Sequence, residues 1–346
     1  MFNNKYKEIL EFVKENPSLS SKEIHDGLKS DVGYATVKRI LTKLISDNLI
    51  LPVGKGRGTK YVVGPAYELF FPIDIEVYFE KEIDERDIKE TFNMSLITEV
   101  LGKVKLFTED ELNHLTDLQN KYKENISKLT ESEYQKELER LAIDLSWKSS
   151  QIEGNTYSLL ETERLLKEKE TAKGKTKDEA LMLLNHKEAL EFIIENPTYL
   201  TPLTISKIED IHNILTKYLG TDRNIRERRV GITGTNYKPL DNVYQIKETL
   251  RDMCELINNR EIIFEKSLLL LMLISYIQPF TDGNKRTARI ISNAILIKHG
   301  YCPISFRTID SVEYKKAMLL FYEQNNITAF KKIFINQFEF AVRTYF

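Results

Sequence analysis

The chain has 346 residues, with 50 Lys and Arg against 52 Asp and Glu and a formal net charge of −2. Apolar residues make up 42% and charged residues 29%, the balance of a globular chain with a core to bury, and at about 150 residues per domain the length suggests two domains. Near-neutral charge excludes a surface that is polycationic throughout, and two cysteines, Cys254 and Cys302, exclude a disulfide scaffold or a Cys-based zinc site and fit a reducing compartment.

The first residues run straight into charged helical pattern with no apolar leader region. The most apolar run, residues 268–277, is far shorter than the ~20 residues of a membrane span. A cytoplasmic protein with no membrane partner is expected.

Residues 1–64 carry eleven Lys and Arg against seven Asp and Glu, a local charge of +4. Tyr6, Ile9, Leu10, Phe12 and Val13 form one apolar helical stripe. Ser20 or Ser21 caps a second helix, and a third over residues 34–47 buries Val37, Ile40, Leu41, Leu44 and Ile45. Two β-type runs, residues 49–53 and 59–63, flank a turn containing Gly54, Gly56 and Gly58, the pattern of a hairpin. Three helices and a hairpin resemble a winged helix-turn-helix. The third helix would offer Lys38, Arg39 and Lys43 to DNA, and the hairpin Lys55, Arg57 and Lys60. A protein-docking role suits such a module as well; the cations put DNA ahead.

Gly64 and Pro65 mark a boundary. Residues 67–79 alternate aromatic and β-branched residues and are expected to be extended. Beyond residue 87 the pattern is nearly all helix: 109–126, 132–152, 159–169, 177–195, 205–218, 244–259, 262–277, 285–299 and two C-terminal segments. One interruption, residues 229–239, reads as a β-hairpin turning near Gly234.

The informative stretch is Gln278-Pro279-Phe280-Thr281-Asp282-Gly283-Asn284-Lys285-Arg286-Thr287-Ala288-Arg289. It is a short loop opening a helix. Free amides at a helix start bind anions, Arg286 and Arg289 share a helix face, and Asp282 can hold a divalent metal. Loop amides, two arginines and a carboxylate suit a triphosphate with Mg²⁺.

This stretch closely resembles the Fic (Fido) signature, His-Pro-Phe-x-Asp/Glu-Gly-Asn-Gly/Lys-Arg-x-x-Arg, matching everywhere but the first position, where Gln278 replaces the histidine. The resemblance implies a mainly α, Fic-type helical bundle with a β-hairpin flap over the last two-thirds of the chain, behind the small N-terminal module. We divide the chain into residues 1–64, a connector and extension 65–130, and a Fic domain 131–346. The implied activity is transfer of AMP from ATP to a Tyr, Thr or Ser hydroxyl of a protein target or of the chain itself. Asp282 would hold Mg²⁺, Gly283, Asn284 and Lys285 would cradle phosphates, and Arg286 and Arg289 would bind them. The flap would be Ile232, Thr233, Gly234, Thr235, Asn236 and Tyr237, pinning the target by strand addition. Lys285, in place of the commoner glycine, also occurs in the Doc-like branch, which phosphorylates its targets.

Ser149-Ser150-Gln151-Ile152-Glu153-Gly154 fits the family's inhibitory motif, Ser/Thr-x-x-x-Glu-Gly/Asn. Ser149 and Glu153 are i, i+4 on one helix face, and Gly154 is a natural stop. The resemblance implies that Glu153 pairs with Arg289 and obstructs the γ-phosphate. In the family the histidine takes the proton of the target hydroxyl; a carboxamide cannot. An autoinhibited AMP-transferase, inactive as written, is the reading; a non-catalytic, nucleotide-sensing DNA-binding regulator and a Doc-like protein kinase are the alternatives.

Overall fold

The structure, a computed structural model, describes residues 4–346; the Arg57 side chain lies outside the described residues. Three helices open the chain: α1 (Asn4–Glu15), α2 (Ser21–Gly27) and α3 (Tyr34–Ser46). Ser20 and Glu23 close a reciprocal capping box on α2. Ile9, Leu10, Val13, Ile24, Val37, Leu41 and Leu44 are buried between the three. Strands β1 (Ile50–Val53) and β2 (Lys60–Val63) follow, antiparallel, with Ile50 opposite Val63 and Val53 opposite Lys60. A Cβ on Gly64 would stand 2.2 Å from Asn48 O, so only glycine fits where the sheet meets the next segment.

That segment is helical rather than extended: α4 (Tyr67–Phe70) and α5 (Ile75–Glu80). Asp74 accepts the amides of Glu76 and Val77 and starts α5. Tyr67, Leu69 and Phe70 are buried and no residue of α5 is, so burial does not follow the alternation of a strand.

A π-helical turn, Leu96–Leu101, precedes the bundle. Its helices are α6 (Glu109–Ile126), α7 (Glu131–Ile152), α8 (Leu159–Glu168), α9 (Lys177–Glu195), α10 (Ile205–Thr216), α11 (Val243–Asn259), α12 (Ile263–Ile277), α13 (Asn284–Lys298), α14 (Ser311–Gln324) and α15 (Thr328–Thr344). Thr108, Thr130, Ser158 and Thr176, each with Glu three residues on, build capping boxes on α6 to α9, each worth about 1 kcal/mol. Helix α12 is apolar on every face and buried from Ser267 to Ile277, which places it at the centre. It lies along α13, with α7, α9, α10, α11 and α14 around the pair.

Residues 229–239 form no hairpin. They make an irregular loop with a turn at Thr233 and Gly234, and only Lys238 bridges in strand fashion, to Thr91. The loop takes its partners from elsewhere: Arg86 Nη2 donates to Gly234 O, Lys238 N to Glu90 O, and Asn236 Nδ2 to Asp84 Oδ1. Tyr237 is buried, stacked on Tyr276 and Tyr322, with its hydroxyl donating to Tyr276 O. Among the described residues no helix is long and apolar enough to cross a membrane.

Candidate functional site

The α12–α13 loop is built to be rigid. Gln278 ends α12 in the left-handed region (φ 51°, ψ 58°), and Gly283 starts α13 at φ 80°. A Cβ on Gly283 would lie 3.2 Å from Thr216 and 3.3 Å from His212 Nε2, so conformation and space both call for glycine. Asn284 spans the loop: its Oδ1 accepts Phe280 N, and its Nδ2 donates to Phe280 O and to Gln278 Oε1. Its side chain is therefore spent on loop shape, leaving its main-chain amide for a ligand.

Phe280 is fully buried and stacked on His212, ring centroids 3.6 Å apart. His212 Nε2 donates to Asp282 O across 2.9 Å, so its proton sits on that nitrogen. Burial pushes its pKa down to about 4. It is a neutral strut of the loop.

No side chain caps α13, so its first amides are open to an anion. Arg286 and Arg289 extend beneath them, 1% and 0% exposed. Arg286 Nη2 donates to Asp282 Oδ2 at 2.7 Å, while its Nε and Nη1 are buried without a protein acceptor. Arg289 Nε donates to Ser149 Oγ and its Nη2 to Ser149 O and Glu153 Oε1, each at 2.8–2.9 Å; Nη1 has no acceptor. The guanidinium lies over the Tyr314 ring. Three orphaned, buried N–H-bearing nitrogens beside an uncapped helix start fit phosphate oxygens.

Glu153 arrives on α7, which ends at Gly154 (φ 100°). Its second oxygen lies 3.3 Å from Lys285 Nζ, a contact that the sequence did not announce. Burial opposes its charge, but Arg289 and Lys285 prevail and hold the carboxyl below its usual range. The end of α7 is fastened to α9: Glu179 accepts the amide and hydroxyl of Thr156, and Asn155 donates to Glu179 O. The Thr156 hydroxyl and the amides of Thr176 and Thr156 keep Glu179 ionised down to about pH 2.

Asp282 stands at the mouth, its side chain 67% exposed, with one oxygen on Arg286. Among the described residues no cluster of three metal-binding side chains occurs. A lone carboxylate beside the open amides of a helix start fits Mg²⁺ with a phosphate ligand, since that ion takes one or two carboxylates and the phosphates themselves; there it would neutralise phosphate charge.

Arg226 escaped the sequence reading. It is 2% exposed, with no ion-pair partner among the described residues. Its N donates to Pro279 O, Nε to Gln278 O, Nη1 to Arg228 O and Nη2 to Leu240 O. One side chain thus joins the motif loop to both ends of the 229–239 loop.

Residues 202–296 match the family model described as Fic/DOC family. This segment is a Fic domain. Protein adenylyltransferase Fic of Nematostella vectensis is 32% identical over 174 residues, 48% of this chain and 40% of the relative. Protein adenylyltransferase fic-1 of Caenorhabditis elegans is 27% identical over 47% of this chain and 33% of its own length. The chain thus spans well under half the length of these curated relatives. Among solved structures, Fic-1 (residues 134–508) of C. elegans superposes with a TM-score of 0.60 at 20% identity, over 68% of this chain and 72% of that one. A Fic-domain signalling protein of Bacteroides thetaiotaomicron gives 0.57 at 20%, over 66% and 94%. The Fic-type helical fold expected from the motif is therefore the fold of the superposed two thirds of this chain.

In the N-terminal module, Lys38, Arg39, Lys43, Lys55 and Lys60 are exposed. Lys43 pairs with Asp47 and Lys38 lies over the Tyr34 ring. Arg39 has no ion-pair partner among the described residues.

Proposed function

We propose that this chain binds ATP with Mg²⁺ in the α12–α13 loop, and that its site is that of a protein AMP-transferase held off by Glu153 and lacking its base. The observation that carries this reading is the pair of buried arginines, with Nε and Nη1 of Arg286 and Nη1 of Arg289 unpartnered beside an uncapped helix start. In the reaction, a Tyr, Thr or Ser hydroxyl oxygen bonds to the α-phosphorus, the α–β bridging bond breaks, and pyrophosphate leaves. The hydroxyl proton must go to a base. Gln278 cannot take it, because a carboxamide does not titrate near neutral pH; its Oε1 accepts from Asn284 and its Nε2 donates to Ser275 O instead.

The target would be a protein segment, or part of this chain, laid along residues 232–237, reached through a loop rather than a hairpin. The basic module 1–64 would bind DNA, the segment 65–130 would join it to the Fic domain 131–346, and the cytoplasm would supply ATP. A second reading, a nucleotide-sensing DNA-binding regulator without catalysis, is favoured by the commitment of the Gln278 side chain.

Labelled ATP offered to the Gln278→His, Glu153→Gly double variant tests these readings. Label transferred from the α-phosphate supports AMP transfer. Label from the γ-phosphate means a Doc-like kinase, and none favours the regulator.

A further inference from the structure

Lys285 and Arg289 are i, i+4 neighbours on α13, and Glu153 reaches across from α7 to bridge them. Its Oε2 lies 3.3 Å from Lys285 Nζ and its Oε1 2.8 Å from Arg289 Nη2. Two cations at this spacing repel each other unless an anion stands between them. Lys285 is also the second residue of α13, at the same uncapped helix start as the phosphate-facing amides, and it is half-buried. Immediately beside it, Arg286 Nε and Nη1 are buried with no protein acceptor. Around this mouth three cations, Lys285, Arg286 and Arg289, face two carboxylates, Asp282 and Glu153.

We propose that Lys285 has two partners in turn: Glu153 at rest, and the phosphate tail of the nucleotide once Glu153 withdraws. The inhibitory glutamate then masks two cations rather than one. Withdrawing it leaves Lys285 and Arg289 uncompensated on one helix face, a pair that a polyphosphate can bridge as the carboxylate did. Nucleotide and Glu153 compete for the same two charges, and Lys285 becomes a determinant of affinity only in the released state.

This rests on the nucleotide reading above. The test is calorimetric titration of the full-length chain with MgATP in a Glu153→Gly background, carrying Lys285→Met, Lys285→Arg or Arg286→Ala. Lys285→Met is expected to weaken binding at least five-fold, and Lys285→Arg, which keeps the charge, to stay within two-fold. Affinity unchanged by Lys285→Met would overturn the proposal, leaving Lys285 a clamp on Glu153 alone. So would a loss with Lys285→Arg as large as with Lys285→Met, because charge would then not be what matters. If Arg286→Ala abolishes binding while Lys285→Met does not, only the role of Lys285 fails. If Arg286→Ala binds as well as its parent, the nucleotide site itself is wrongly placed and the proposal falls with it.

Discussion

Asn284 Nδ2 donates to Gln278 Oε1 across 2.9 Å, so the residue that holds the loop also holds the residue standing where the family has its base. With Gln278 Nε2 on Ser275 O at 2.6 Å, the carboxamide is held at both its oxygen and its nitrogen and is buried. Its shape preserves the loop and its chemistry withholds proton transfer. Glu153→Gly alone is therefore expected to give almost no AMP transfer. Gln278→His with Glu153→Gly should exceed it by ~10²–10⁴-fold, the usual worth of a general base. Counting α-labelled product from the two variants side by side decides it; equal, robust rates would mean that another residue supplies the base.

Arg286 is expected to dominate nucleotide affinity. Arg286→Ala removes two unpartnered buried nitrogens from the site, and a charge-assisted contact to phosphate is worth about 1.5–3 kcal/mol, roughly 10–150-fold in Kd. Titration with MgATP should show that loss, with the melting temperature checked alongside. An unchanged Kd would remove Arg286 from the site.

Acid should destabilise the fold through His212. Its folded pKa of about 4 lies below the ordinary 6.5, so beneath pH 6.5 the unfolded chain binds a proton that the folded one refuses. This contribution is complete above pH 6.5 and is lost progressively as the pH falls toward 4, to about 3 kcal/mol. His186, also buried and held well below its ordinary range by burial, Arg289 and Arg286, acts in the same direction. Urea unfolding at pH 7.5 and pH 5 should show a smaller difference for His212→Gln than for the parent.

DNA binding, if the basic module performs it, must fall steeply with salt as phosphate contacts release counterions. Arg39→Ala should weaken binding to all duplexes alike and lower the salt slope by about one. Lys43, already paired with Asp47, should matter less. Fluorescence anisotropy of a labelled duplex between 50 and 200 mM salt, about the range over which such contacts tell, measures both. No binding at low salt would make the module a docking unit.

The site was legible where its chemistry is contiguous. Asp282, Gly283, Arg286 and Arg289 lie within eight positions, and Ser149 with Glu153 fills one helical repeat. What joins these pieces is not contiguous. Arg226 reaches Gln278 across 52 residues, and Lys285 reaches Glu153 across 132. Neither contact leaves a local pattern. The fold misled in two places for the same reason. Residues 67–79 mix aromatic and β-branched residues as a strand does, yet burial is confined to Tyr67, Leu69 and Phe70, and the Asp74 cap was the local sign of a helix start. Residues 229–239 carry the glycines and β-branched residues of a hairpin, yet they take partners from residues 84–91 and Arg226 holds the two flanking positions, Arg228 and Leu240, which no hairpin pattern encodes.

The four donations of Arg226 make a rivet through two loops. Its backbone amide and Nε fix Pro279 and Gln278; its two terminal nitrogens fix Arg228 and Leu240. A segment settling on the loop between Arg228 and Leu240 cannot push that loop aside without tugging the left-handed turn at Gln278. If a target docks there, its seat and the posture of residue 278 would be geared together through one buried guanidinium rather than through either loop alone.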